Sequence, residues 1–331
     1  MRRTKIISTG RYLPERVVTN AELEKFMDTT HQWILDRSGI EERRYAEFGV
    51  GPSDLGYEAA VIALERAGME ITDIDMIIFA TLSPDNGFPG PGCRLNRRLE
   101  AKGIATVDVR NQCTGFVYGM SIADQFIKNG MYDHVLVVGG EVHSTGLEFA
   151  DRGREVTVLF GDGAGAVILG PSEDEDRGIL STHLHADGKG FKELWVEFPA
   201  SRRMPREIHQ ALDDGRQWPR MNGTRVFKNA VVRLPEVITE ALDANGYTVE
   251  DIDHLVPHQA NMRINQFVGH KMKIPNEKIW HNIQRYGNTT AATIPICLDE
   301  MIEQDKLKEG DVVVIAAFGA GYTWGSVLIR W

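Results

Sequence analysis

The sequence predicts an α/β protein built from two tandem, pseudo-symmetric halves, and three paired stretches carry that expectation. ALERAGMEITDIDMIIFA (63–80) aligns without gaps on ALDANGYTVEDIDHLVPH (241–258), Ala63 against Ala241, an offset of 178. Both read as a helix closed by a glycine, Gly68 or Gly246, then a polar turn ending in Asp-Ile-Asp, then a strand. IADQFIKNGMYDHVLVVGG (122–140) matches CLDEMIEQDKLKEGDVVVIAAF (297–318) once the loop slips by about two residues. Each joins a helical apolar pattern to a continuous β-branched run, the mark of a strand covered on both faces. FGDGAGAVILG (160–170) and FGAGYTWGSVLIRW (318–331) are both Gly-rich turns feeding a final strand. Chance supplies one such pair; three in the same order imply a duplicated fold.

Taken along the chain, MRRTKIISTGRYLP reads as a first strand and lacks the apolar core of a secretion signal. The acidic, turn-rich PSEDEDRG (171–178) is the expected join, giving an N-terminal half 1–175 and a C-terminal half 176–331. Strand–helix alternation within each half implies mainly parallel or mixed sheets with helices on their faces. Residues 191–223 have no counterpart in the first half. Rich in Arg, Pro and Trp and without clear periodicity, they read as a long functional loop or lid.

Composition narrows the function. The 331 residues are 42% hydrophobic and 25% charged, ample for a large core. A net charge of −10 disfavours nucleic acid as a partner. The apolar runs at 76–82, 135–138 and 312–318 are too short to span a bilayer, so no membrane anchor is expected. Cys93, Cys113 and Cys297 are widely spaced, which argues against a disulfide framework or a zinc site and for a reducing, cytoplasmic setting.

Three residues stand where strands or turns meet helices. Cys113, in DVRNQCTGFVYGM, precedes a long helical pattern, where the helix dipole and unpaired N–H groups favour a thiolate. The offset of the second repeat carries Cys113 onto Asn288, in RYGNTTAATIP, and His258, in LVPHQANMRIN, ends the strand equivalent to the one closing at Ala80. Ligands gather at such strand ends in open α/β sheets. Cys297 lies in an apolar helical stripe and reads as core, while Asn288 could equally be a turn residue. GDGAGA opens a strand rather than a helix, so it is no phosphate loop. Cys, His and Asn together suit several acyl-transfer chemistries, a papain-like hydrolase among them.

The chain resembles the β-ketoacyl-acyl carrier protein synthase III family of thiolase-like condensing enzymes. The matching stretches include WILDRSGIEERR, NQCTGF, LFGDGAGAV, LVPHQANMRI, YGNTTAATIP and AFGAGYTWGSVLIRW and span almost the whole chain. The resemblance implies a five-layered αβαβα thiolase-like fold and a homodimer. It makes Cys113 the acyl-accepting nucleophile and His258 and Asn288 the oxyanion donors of a decarboxylative Claisen condensation. Backbone N–H groups of Cys113 and the Gly319 to Gly321 turn form the second oxyanion hole. Acyl-CoA and malonyl-acyl carrier protein are the implied substrates, and no cofactor or metal is needed. Trp33, Arg37, Arg152 and Gly223 fall at coenzyme A positions, although the Arg152 segment is about two residues longer than the usual pattern. Phe88 matches a residue that closes the partner's acyl pocket, and Gln259 and Arg263 fall on the carrier-protein docking surface. The Gly- and Pro-rich GFPGPG and the inserted 191–220 segment depart from the family pattern and leave the primer open. Two other readings stay in view: a specialised relative taking a longer acyl-CoA or another acceptor, and a non-catalytic scaffold. A degradative thiolase is disfavoured, since FGAGYTWGS lacks the second catalytic cysteine.

Overall fold

The structure, a computed structural model, describes residues 2–202 and 207–331. Nine strands form its two main sheets: β1 (Arg3–Tyr12), β2 (Met76–Ala80), β3 (Ala105–Val109), β4 (Val135–Glu141), β5 (Gly163–Ser172), β6 (Gly178–Ala186), β7 (His254–Pro257), β8 (Val312–Gly319) and β9 (Thr323–Arg330). Seven helices matter here: α1 (His31–Ser38), α2 (Pro52–Ala67), α3 (Pro91–Arg98), α4 (Gly115–Lys128), α5 (Gly223–Asp243), α6 (Met262–Met272) and α7 (Thr293–Glu303).

The first sheet has the order β1-β5-β4-β2-β3 and the second β6-β9-β8-β7. In both, two antiparallel steps lead to a parallel pair, β4 with β2 and β8 with β7. The duplication read from sequence is therefore a duplication of topology. Strand β3 has only a vestige in the second half, a single parallel bridge from Leu255 to Ile279.

Every residue of β2 and β4 is buried, as expected of apolar runs with no polar face. Three clusters account for the layers. Leu55, Ala59 and Ala63 of α2 and Leu95 of α3 cover one face of the first sheet. Phe116, Met120 and Ile127 of α4 with Ile294, Leu298 and Met301 of α7 fill the space between the sheets. Leu234 and Ile238 of α5 with Val268 of α6 cover the outer face of the second. The order is αβαβα, five layers of the thiolase type.

The join falls between the end of β5 at Ser172 and the start of β6 at Gly178. Gly68 caps α2 in the left-handed region, φ 62°, as its position suggests. Its repeat partner differs, because α5 ends at Asp243 with Ala244 as cap and the left-handed Gly246 two residues further on. Residues 191–220 are more ordered than a bare loop: Leu194–Trp195 pairs with Arg220–Met221, and Ile208–Asp213 is helical. Residues 203–206 of this segment lie outside the described residues. Among the described residues no helix is long and apolar enough to cross a membrane.

Candidate active site

Cys113 sits in a single 3₁₀ turn, Gln112–Thr114, that carries the chain from β3 into α4, with Gln112 in the left-handed region at φ 46°. The end of β8 packs directly against it. A Cβ placed on Gly319 would stand 2.8 Å from the Cβ of Cys113, so only glycine permits that approach. The thiol is buried and pushed up to about 12, by burial first and then by the Glu141 carboxylate. Backbone N–H groups of Ala320 and of Cys113 itself oppose that shift. Burial outweighs these two donors, and the group rests as a thiol rather than the thiolate that the helix-start position suggested.

His258 follows β7, and Asn288 follows Gly287, whose φ is 65°. Both line one cavity with Cys113, about 120 Å³ in volume, whose walls include Phe160, Leu194 and Phe318. Burial drives the His258 imidazole down to about 3, so the ring is neutral. Its Nδ1 lies 2.7 Å from the Thr293 hydroxyl, while its Nε2 is buried without a partner among the described residues. The Asn288 Oδ1 accepts the Thr290 N–H at 2.8 Å, which leaves the amide nitrogen as the end free for a ligand. The site therefore combines one thiol with two neutral polar groups in an otherwise apolar chamber. Among the described residues no group of three or more His, Cys, Asp and Glu is placed to hold a metal.

The coenzyme-type positions separate on inspection. Trp33 lies on α1, with the Arg37 guanidinium 4.2 Å and the Arg154 guanidinium 4.8 Å from its ring centre. Arg152 is elsewhere. Its Nε donates to both carboxylate oxygens of Glu148, at 2.8 and 3.1 Å, and its Nη1 approaches the Asp214 carbonyl of the inserted segment. The second arginine beside Trp33 is Arg154, two positions past the expected one. Gly223 opens α5 and lines the cavity. Met221 and Phe160 line it too, and both pack in the cluster that includes Trp33, so an apolar wall runs from the indole to the thiol.

Two further expectations change. Gln259 cannot face a carrier protein: it is fully buried, donates to the carbonyls of Pro257 and Trp280, and accepts the Asn282 N–H. The backbone donor beside the thiol is Ala320, between the expected Gly319 and Gly321; Gly319 lines the cavity and Gly321 does not. Arg263 is exposed, 6.0 Å from the ring centre of Phe227, which lines the cavity. Phe88 is 89% exposed and lies away from this chain's own cavity.

Two family models match the chain: 3-oxoacyl-[acyl-carrier-protein] synthase III over residues 107–188 and the C-terminal part of the same synthase over 242–331. A β-ketoacyl-[acyl-carrier-protein] synthase III of Geobacillus kaustophilus is 45% identical, with 98% of each chain covered. One from Caldanaerobacter subterraneus is 44% identical over 98% of this chain and 97% of its own. The crystal structure of a 3-oxoacyl-[acyl-carrier-protein] synthase III from Aquifex aeolicus superposes with a TM-score of 0.91 at 42% identity, covering 99% of this chain and 100% of that one. The chain belongs to the β-ketoacyl-acyl carrier protein synthase III family. It is an acyl-transferring condensing enzyme of the thiolase fold.

Within that family frame, sequence reading missed Arg154, Leu194 and Thr293, and it placed the backbone donor in the right turn but named its two glycines in place of Ala320. Arg154 was legible as the next arginine in DRGREV, two positions past the expected one. Ala320 carries no side-chain signal at all, because its contribution is a backbone N–H.

Proposed function

We propose that the chain joins a CoA-bound acyl primer to malonyl-acyl carrier protein, the first condensation of fatty acid synthesis. The observation that carries the reading is the convergence of Cys113, His258 and Asn288 on one apolar cavity, with two neutral polar groups facing one thiol. Cys113 Sγ attacks the acyl-CoA carbonyl carbon. The new C–S bond forms as the bond to the coenzyme sulfur breaks, and the thiol proton goes to that sulfur. The transient oxyanion is held by the N–H groups of Cys113 and Ala320. Malonyl thioester then takes the vacated channel and loses CO2. The enolate oxyanion is held by His258 and Asn288 while its carbon attacks the Cys113 thioester. Collapse expels the Cys113 thiolate, which takes a proton from solvent. Decarboxylation supplies the driving force, so this scheme uses no cofactor or metal.

Trp33, flanked by Arg37 and Arg154, suits the nucleotide end of coenzyme A, and the wall past Met221 and Gly223 suits pantetheine. Arg263, beside the cavity-lining Phe227, is exposed and suits contact with an acidic carrier protein, as do the exposed Lys228 of α5 and Lys271 and Lys273 at the end of α6. Phe88, exposed here, would close the pocket of a second copy in a homodimer. Three unpaired cysteines are in keeping with a cytoplasmic enzyme. The test is a product assay with malonyl-acyl carrier protein and acyl-CoAs graded from acetyl to dodecanoyl. Ketoacyl product from short primers supports the initiating role; product from long primers alone contradicts it.

A further inference from the structure

We propose that Glu141 is a positioning residue that acts through Cys113: its buried carboxylate, which no cation pairs among the described residues, holds the proton on the thiol. The proposal deepens the acyl-accepting role given to Cys113 and rests on it.

Glu141 is the last residue of β4 and is fully buried. In the first sheet Ala80 pairs with Gly139 on one side and Val109 on the other, so β4, β2 and β3 end side by side. Cys113 lies in the turn that follows β3. Just beyond it, a Cβ on Gly115 would stand 3.2 Å from the Cβ of Ala80 and 3.6 Å from that of Ala291. Glu141 grips those same two segments. Its Oε2 accepts the hydroxyls of Thr81 at 2.9 Å and Ser83 at 2.6 Å, and its Oε1 accepts the Leu82 N–H at 3.1 Å. The Ala291 N–H reaches the carboxylate as well. The charge therefore sits beside the Cys113 turn without lining the substrate cavity.

Every one of those donors is neutral. The titratable groups facing the carboxylate are Cys113 and His143, whose Nε2 is 4.0 Å from Glu141 Oε2. Burial holds the His143 imidazole down to about 3, and its Nε2 also meets the Thr290 hydroxyl at 2.6 Å, so it brings no positive charge near neutral pH. Asp162, ahead of β5, is taken up by the N–H groups of Ala46, His143 and Ser144. The Glu141 anion is thus unbalanced, and a like charge beside a thiol disfavours its thiolate. Burial also raises Glu141 itself, to about 7, against the donors that favour its anion. The restraint on Cys113 is present above that pH and lifts below it, as the carboxyl takes up a proton. Each unit by which a thiol is raised removes about tenfold of its thiolate and makes the remainder about threefold more nucleophilic, which leaves a net loss of roughly threefold in rate.

The test is the pH profile of alkylation at Cys113. Full-length wild-type and Glu141→Gln proteins are reacted with iodoacetamide from about pH 5.5 to about pH 9.5. Modification of the Cys113 peptide is followed by mass spectrometry, apart from that of the exposed Cys93. The thiolate sulfur displaces iodide, so the rate follows the thiolate population. Wild type is expected to give two limbs of equal slope, the one above about pH 7 displaced downward by roughly threefold or more. Glu141→Gln should give a single line that continues the acid limb, and so react at least roughly threefold faster than wild type at the alkaline end. A wild-type profile without the displacement, or a displacement that persists in the Gln variant, overturns the proposal. So does a Gln variant faster by the same factor at both ends, which would mark looser packing in place of a lost charge. Should the Gln variant not fold, the wild-type profile decides. Wild-type protein that shows the displaced profile but never loads acetyl from acetyl-CoA would sink the proposed function and leave the action of Glu141 on the thiol standing.

Discussion

Gly319→Ala is expected to cripple acylation of Cys113 while leaving the protein folded. The added methyl would stand 2.8 Å from the Cβ of Cys113, 3.2 Å from its nitrogen and 3.4 Å from its Cα. All three atoms are fixed by the backbone, so no flexible side chain can swing aside. Ordinary contact begins at 3.4 Å, so β8 must retreat from the Cys113 turn by about half an ångström. The next residue, Ala320, supplies the N–H that points at the thiol and must move with the strand. Losing one donor of this kind costs about 3 kcal/mol, or roughly a hundredfold in rate. Overpacking at a strand end adds about 1–3 kcal/mol of destabilisation, which a large core should absorb. The assay is quenched intact-mass measurement of acetyl loading at saturating acetyl-CoA, with circular dichroism to check the fold. Gly146→Ala, whose Cβ would meet nothing within 4 Å, is the control. A folded Gly319→Ala protein that loads within threefold of the control would refute the role given to Ala320.

Arg154→Ala is expected to raise KM for acyl-CoA about tenfold, by losing one charge-assisted contact beside Trp33, and Arg152→Ala to leave KM within about twofold. The reverse ranking would restore Arg152 to the coenzyme site. Asp299→Ala should cost about 3 kcal/mol in urea unfolding, because it strips the buried carboxylate that accepts from the Thr9 hydroxyl at 2.7 Å and pairs with Arg11 and Arg66. A loss under about 1 kcal/mol would make that cluster incidental. Burial drives His143 down to about 3, so the unfolded chain binds a proton there that the folded one refuses. That stability is present above pH 6.5 and lost as pH falls toward 3, by up to about 1.4 kcal/mol per pH unit. His143→Gln should flatten the acid limb of the stability curve by that amount, and parallel curves would contradict the assignment.

Much of the architecture was legible because the chain repeats itself. The Asp-Ile-Asp turns and β-branched runs predicted β2, β4, β7 and β8, and the offset that carried Cys113 to Asn288 anticipated that both would face one cavity. What escaped was set by tertiary contact. The thiol's acidity follows from burial and from Glu141, two determinants remote from the local helix-start pattern. Gln259 stands beside His258 in sequence, but its side chain turns inward to the carbonyls of Pro257 and Trp280. Arg152 has the right type at the nominal place, yet Glu148 four residues earlier captures it. The helix Ile208–Asp213 is too short to leave a period.

The claim that Cys113 carries the acyl group is tested most directly by intact mass after brief exposure to acetyl-CoA, followed by a chase with malonyl-acyl carrier protein. Wild-type protein should gain one acetyl mass, lose it during the chase with release of acetoacetyl-acyl carrier protein, and Cys113→Ala should gain nothing. Acetyl label retained by Cys113→Ala, or wild-type label that survives the chase, would contradict the account.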